Sequence, residues 1–158
     1  MKQGIASRSI LATLIAASIT FTSDTATAGP DRVSLLLGSK HVGAERGAFN
    51  ETNPGLFFTW EGEALDKTVG IYKNSYDGVS LSATVALPIV KWKDGEAALF
   101  AGAALYPDVG RTFKYHVGDV IPIGGLQIRH KYAFVQIIPM DGDHVDFLID
   151  GGITFKMK

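Results

Sequence analysis

Cysteine is absent from all 158 residues of the chain, so the fold is held by something other than cross-links. An excess of either charge is missing too: 15 Lys and Arg stand against 16 Asp and Glu, and no basic stripe offers itself to nucleic acid. Beyond the N-terminal thirty or so residues, no apolar run approaches the ~20 residues a membrane helix needs. No Gly-x-Ser-x-Gly elbow, phosphate loop or dinucleotide fingerprint occurs. His116, His130 and His144 match no zinc spacing, and the stretch "DGDHVD", Asp141 to Asp146, lacks the spacing of a calcium loop and reads as a hairpin turn. The expectation is a protein that works without metal or cofactor.

What is present starts with an export signal. Lys2 and Arg8 give a positive start, Ile10 to Phe21 is a short apolar stretch, and Ala26-Thr27-Ala28 ends in the small-x-small pattern of a signal peptidase site. Residues 1–28 are therefore expected to be a signal peptide, and residues 29–158 a single domain. Lys2, Arg8 and Asp24 leave with the signal, so 15 basic and 16 acidic side chains become 13 and 15. A retained N-terminal anchor is the other reading, but no stop-transfer run follows. Export permits disulfides, and a closed sheet in a membrane explains how an exported chain manages without them.

Period-two alternation organises the remainder. From Val145 the odd positions read Val, Phe, Ile, Gly, Ile, Phe, Met, and the even ones Asp, Leu, Asp, Gly, Thr, Lys, Lys. That is a strand with one apolar and one mostly polar face. Its length exceeds the ~5–6 residues of an ordinary globular strand. It matches the ~9–11 residues of a membrane-barrel strand with some overhang. Weaker versions recur, and strands are expected near 32–38, 54–60, 68–73, 79–90, 96–105, 118–128, 131–138 and 145–157, with turn signals such as "DKT" and "KDGE" between them.

Eight strands make the smallest membrane barrel, with both termini on one side and long loops on the other. The expected fold is all-β, an eight-stranded antiparallel up-and-down transmembrane β-barrel. A soluble lipocalin-like barrel shares the strand count but turns its apolar residues inward. Here the side opposite the apolar rows is small or polar: Ser80, Ser82, Thr84 and Ala86, then Ala98, Gly102 and Ala104, then Asp146, Asp150, Thr154 and Lys156. Apolar-out is the expected arrangement, and it leaves a lumen with room inside. Pro88, Pro122 and Pro139 lie in or at the end of strands, where a missing ladder donor predicts local gaps.

In an up-and-down barrel the connection carrying His41 and the connection carrying Asn74 and Ser75 fall on adjacent hairpins of one rim. Taken in order, "FNETNPG" (Phe49 to Gly55), "YKNSYDG" (Tyr72 to Gly78), "VIPIGG" (Val120 to Gly125) and "QIIPM" (Gln136 to Met140) make the chain resemble the lipid A palmitoyltransferase (PagP) family. Members are outer-membrane barrels of Gram-negative cells that move a palmitoyl chain from a phospholipid to lipid A, with the acyl chain held inside the barrel. The resemblance implies an outer-membrane location, a phospholipid donor, a lipid A acceptor and lateral entry of lipid at weak seams. A monomer with membrane lipids as its partners is expected.

Carried onto this chain, the family's loop histidine falls on His41. Its Lys-Asp-Ser reads Lys73-Asn74-Ser75, with asparagine in place of the aspartate. The stretch from His41 to Asn50 is also shorter than in the family, and the chain ends on lysine rather than an aromatic residue. The candidate catalytic residues are His41, Asn74 and Ser75. Acyl transfer needs a base, a hydroxyl nucleophile and oxyanion donors. His41 can act as the base on an acceptor hydroxyl, and Ser75 can be either the nucleophile or an oxyanion donor. Asn74 can orient the ring by a hydrogen bond but brings no charge, and Glu51 or Asp77 can take over that role. The Asp-to-Asn change leaves a second reading open, a non-catalytic outer-membrane barrel that serves structure or lipid binding.

Overall fold

A computed structural model describes residues 29–45, 48–142 and 145–157. The expected signal peptide, residues 1–28, and His144 lie outside the described residues. Eight strands follow in order: β1 (Arg32–Val42), β2 (Gly55–Trp60), β3 (Asp66–Lys73), β4 (Val79–Trp92), β5 (Gly95–Leu105), β6 (Val120–His130), β7 (Ala133–Gly142) and β8 (Val145–Lys156). Each is antiparallel to its neighbours, and β8 returns to β1 to close the barrel. The expected eight-stranded antiparallel up-and-down barrel is the one observed. A 3-10 turn at Gly110–Thr112 is the only named helical element among the described residues.

Alternation sets which face each residue takes. Along β4, Val79, Leu81 and Leu87 point outward while Ser80, Ser82, Thr84 and Ala86 point inward. On β5 the outward set includes Leu99 and Leu105, and the inward one Ala98, Phe100 and Ala104. Leu81 and Leu99 are 50% and 52% exposed, and Leu37, Ile71, Ile128, Val135 and Phe155 continue the belt around other strands. The arrangement is the reverse of a lipocalin's, and the exposed apolar side chains recur strand after strand rather than standing singly. Small residues inside leave space for rings: Gly70 on β3 lies where any Cβ would collide with the Phe57 ring.

Strand β1 runs farther than the sequence pattern predicts, and His41 sits in its outer end rather than in the loop. β2 stops pairing with β1 at Leu36↔Gly55, but β8 continues through His41↔Leu148 and Val42↔Phe147, which keeps β1 extended. A bulge falls between Leu36 and Gly38. Because side chains alternate strictly, one extra residue exchanges the two faces beyond it. Ser34 and Leu36 are buried before the bulge and His41 after it, while Lys40 is exposed. Gly38 accepts the close approach of the first loop, whose Glu51 carbonyl oxygen would meet a Cβ at 2.7 Å. That same oxygen accepts a hydrogen bond from Ser39 N at 2.9 Å.

The wall is incomplete at one seam. β6 and β7 pair only from Leu126↔Ile137 to His130↔Ala133, leaving the loop-end halves of both strands unpaired with each other. β6 stays paired with β5 along its whole length, and β7 with β8 as far as Pro139 and again at Gly142. Pro122 and Pro139 stand in the two unpaired halves, where a missing N–H costs no ladder bond. Pro88 likewise has a neighbour on one side only, because β4 overhangs β3 beyond Asp66↔Ala86. It pairs with Ala98 beside a bulge, and the β4–β5 ladder continues past it.

The opposite end of the barrel, where the short turns lie, is closed by ions. Arg129, with 6% side-chain exposure, bonds the Asp66 and Glu96 carboxylates, reaching Asp66 Oδ2 at 2.5 Å. Arg32 bonds Glu61 at 3.0 Å, and Lys156 reaches the same carboxylate at 3.3 Å. Ser34 Oγ donates to Thr154 Oγ1 at 2.7 Å, and Thr59 and Thr68 share a hydroxyl bond at 2.9 Å.

Candidate functional site

The two loops singled out from the sequence meet. Asn50 N donates to the Ser75 carbonyl oxygen at 3.0 Å, and Asn50 Nδ2 donates to Asp77 Oδ1 at 2.6 Å. Asn50 Oδ1 accepts from Thr52 N at 2.9 Å, which fixes the turn that presents it. His41 is 7% exposed and stacks on Phe49, with centroids 4.3 Å apart and planes 12° apart. Phe49 meets Tyr76 edge-on at 5.7 Å, Tyr76 meets Phe113 at 6.1 Å, and Phe113 meets Tyr106 at 5.4 Å. Three long connections thus contribute to one aromatic roof over the lumen.

Beneath the roof is a cavity of about 540 Å³, within the range of small-molecule sites. His41 and Ser75 line it at the top, with Tyr72, Tyr106, Phe57 and Phe134 below them. Pro122, Gly124 and Pro139 also line it, so the cavity extends to the unpaired β6–β7 seam. Gln127 and Gln136, joined by a 2.8 Å hydrogen bond, and then Arg129 mark its lower limit.

Each candidate residue has a different relation to this cavity. His41 and Ser75 share it, and His41 Nδ1 is buried without a hydrogen-bond partner. Asn74 is 1% exposed, and its amide is spent on its own turn. Its Oδ1 accepts from Tyr76 N at 2.9 Å and Gly78 N at 3.0 Å, and its Nδ2 donates to Ser80 Oγ at 2.9 Å. These bonds shape the turn that carries Ser75. They do not run to the imidazole. Asn74→Ala is expected to cost about 1–3 kcal/mol through the polar groups it leaves unpaired, read as a lower urea midpoint in micelles. Asn74→Asp, able to accept from the same two N–H groups and from the Ser80 hydroxyl, is expected to fold like the wild type.

The two carboxylates considered as substitutes are held by cations. Glu51 pairs with Lys40 at 2.8 Å and accepts from His41 N at 3.4 Å; Asp77 pairs with Lys73 at 2.7 Å. Lys40 lowers the Glu51 pKa below its ordinary value, and Lys73, then Asn50, do the same for Asp77. A carboxylate with a lower pKa folded than unfolded stabilises the fold above its unfolded pKa, and that contribution is lost as pH falls through the folded value. The loop junction is therefore expected to hold at neutral pH and to loosen below the usual carboxylate range, under about pH 4. The protection factor of the Asn50 amide, measured by hydrogen exchange across that range, checks this. An unchanged factor at low pH means that the junction does not depend on these charges.

The other two described histidines, His116 and His130, lie away from the cavity. His116 Nδ1 is 3.1 Å from the Gly118 carbonyl oxygen in an exposed loop. His130, at the turn end of β6, accepts a 3.0 Å hydrogen bond from Trp92 Nε1 and stacks on that indole. Sequence reasoning missed the Leu37 bulge and the Arg129 ion cluster, and it placed Asp150 on the inner face without a role, where its Oδ1 is buried without a partner. An isolated glycine inside a strand, Gly38, was the available sign of the bulge.

By its fold and site the molecule is an eight-stranded barrel with a laterally reaching lumen and a histidine–serine rim. No protein-family model matches the chain, and no curated protein matches it at a significant level.

Proposed function

We propose that the chain is an outer-membrane acyltransferase that moves a fatty acyl chain, palmitoyl-like, from a phospholipid to lipid A or a related lipid, as its resemblance to the lipid A palmitoyltransferases implies. The observation that carries this reading is the single cavity that His41 and Ser75 cap and that extends to an unpaired seam at Pro122 and Pro139. A lipid chain entering sideways from an apolar surroundings has both a route and a chamber. Supporting the membrane setting are the outward apolar belt and, at the turn end, exposed Trp92 and Tyr132, with Tyr132 6.3 Å from Phe155, in the manner of an interfacial aromatic girdle. Among the described residues the ion pairs sit at the two ends of the barrel, away from the belt.

In this mechanism the donor's ester carbonyl sits at the rim with its chain in the lumen. The acceptor hydroxyl attacks the carbonyl carbon as His41 takes its proton. Ser75 Oγ–H donates to the developing oxyanion, in company with loop N–H groups. Collapse breaks the ester bond to the donor's oxygen, which receives the proton from the imidazolium and leaves as lysophospholipid. Asn74 holds the turn that aims Ser75.

A second reading is favoured by one observation. The His41 ring has no carboxylate on its buried Nδ1, where acid–base histidines usually have an orienting partner. A non-catalytic barrel that binds lipid in the same chamber has no need of one. Mass spectrometry of lipid A and phospholipids from cells with and without the protein separates the two. One added acyl chain on lipid A with a matching rise in lysophospholipid supports transfer; unchanged lipids with the barrel well expressed in the outer membrane sink it.

A further inference from the structure

Halfway down the lumen wall a carboxyl oxygen stands without a hydrogen-bond partner. Asp150 on β8 faces the cavity, and the buried oxygen is its Oδ1. Its two cross-strand neighbours have committed their polar groups elsewhere. Gln136 on β7 donates its Nε2 to Gln127 Oε1 at 2.8 Å, and Ser39 on β1 donates its Oγ to Asn53 Oδ1 at 2.5 Å. Across the cavity Tyr72 and Tyr106 bring hydroxyls that bond each other at 3.3 Å. Buried acceptors are nearly always satisfied, and one left open in a roomy, partly polar cavity points to a donor that arrives with a ligand.

The register gives the depth. Asp150 pairs with Ser39, two residues below His41 on the same strand, or about 7 Å at ~3.3 Å per residue. A ligand whose reacting carbonyl lies at His41 therefore passes Asp150 with the early carbons of its chain. Headgroup amines and phosphates stay above the rim at that depth. The donor a chain itself can carry there is a hydroxyl.

Resting on the acyl-chamber reading above, we infer that Asp150 forms a polar subsite in the lumen that recognises a hydroxyl on an early carbon of the ligand's acyl chain, so that the chamber selects hydroxyacyl chains over plain ones of the same length. The hydroxyl donates to Asp150 Oδ1, and the tyrosine hydroxyls are within the same chamber to complete its bonding.

The test is binding rather than turnover. Purified, folded full-length mature protein in micelles is titrated with the methyl esters of 3-hydroxytetradecanoate and of tetradecanoate, which differ in one hydroxyl. Leaving a buried acceptor unpaired is costly enough that the hydroxylated ester is expected to bind about tenfold tighter, ~1.4 kcal/mol. Asp150→Leu should remove that preference and improve binding of the plain ester, and Asp150→Asn, which keeps an acceptor oxygen in place, should retain part of it. Heat-modifiable migration identifies variants that have folded; where the leucine variant does not fold, the wild-type pair of affinities and the asparagine variant decide. Equal affinities in the wild type, or an undiminished preference in Asp150→Leu, overturn the subsite and leave the acyl chamber standing. Failure of both esters to bind overturns the chamber as well.

Discussion

Alanine at His41 is expected to stop acyl transfer to lipid A while leaving the barrel closed. Removing a general base costs ~10²–10⁴ in rate. The ring has stacking contact with Phe49 but no side-chain hydrogen bond through its buried Nδ1, so its loss leaves no charged partner stranded. Ser75→Ala is expected to lose ~10²–10³ if the hydroxyl serves the oxyanion. Its backbone carbonyl, which binds Asn50 N, is untouched by the change. Both variants are to be assayed in micelles with phospholipid donor and lipid A acceptor, beside a gel that shows the heat-modifiable folded form. Full activity in both places the chemistry elsewhere on the molecule.

Replacing Arg129 by methionine is expected to be the most destabilising single change at the turn end. Asp66 and Glu96 have side-chain exposures of 5% and 16%, and both rely on this guanidinium. Taking away one partner of a buried ion cluster costs ~3–5 kcal/mol, because the remaining charges are left uncompensated. Urea titration of the refolded barrel measures it. Adding Asp66→Asn and Glu96→Gln to Arg129→Met should recover much of the loss, since the penalty lies in the stranded carboxylates. A triple variant no better than the single one shows instead that the arginine's packing matters more than its charge.

Much of this architecture is legible in the sequence. The strand count and the outward apolar face follow from alternation in segments such as Phe147 to Phe155, because a two-sided wall imposes period two directly on the chain, although at the rim Val145 lines the cavity and Asp146 is exposed, the reverse of the expected faces. The meeting of the connections that follow β1 and β3 follows from up-and-down order alone. Other features are not local. Asp66 and Arg129 are 63 residues apart, and only closure of the sheet brings them together. The β6–β7 seam is marked by Pro122 and Pro139, yet Pro88 carries the same mark where β4 simply overhangs the end of β3 and no strand stands opposite. A proline reports a missing donor but not whether a neighbouring strand wanted it. Asn74 was read for its chemistry toward His41, whereas its contacts are those of a turn-former.

The bulge at Leu37 gives β1 something like a reading frame. Counting from Leu36, each residue's side of the wall is set by whether an odd or even number of positions has passed, and the bulge shifts that count by one before His41 is reached. Straightening the bulge, with Leu37 drawn into the regular ladder, would send Lys40 into the lumen and the imidazole out toward the belt, with every chemical group still present in the chain. Deleting Leu37 together with the bulge would instead keep the histidine inward and opposite Leu148. Among related barrels, then, the spacing between the buried start of β1 and its histidine, counted with the bulge, carries as much information about chemistry as the histidine itself.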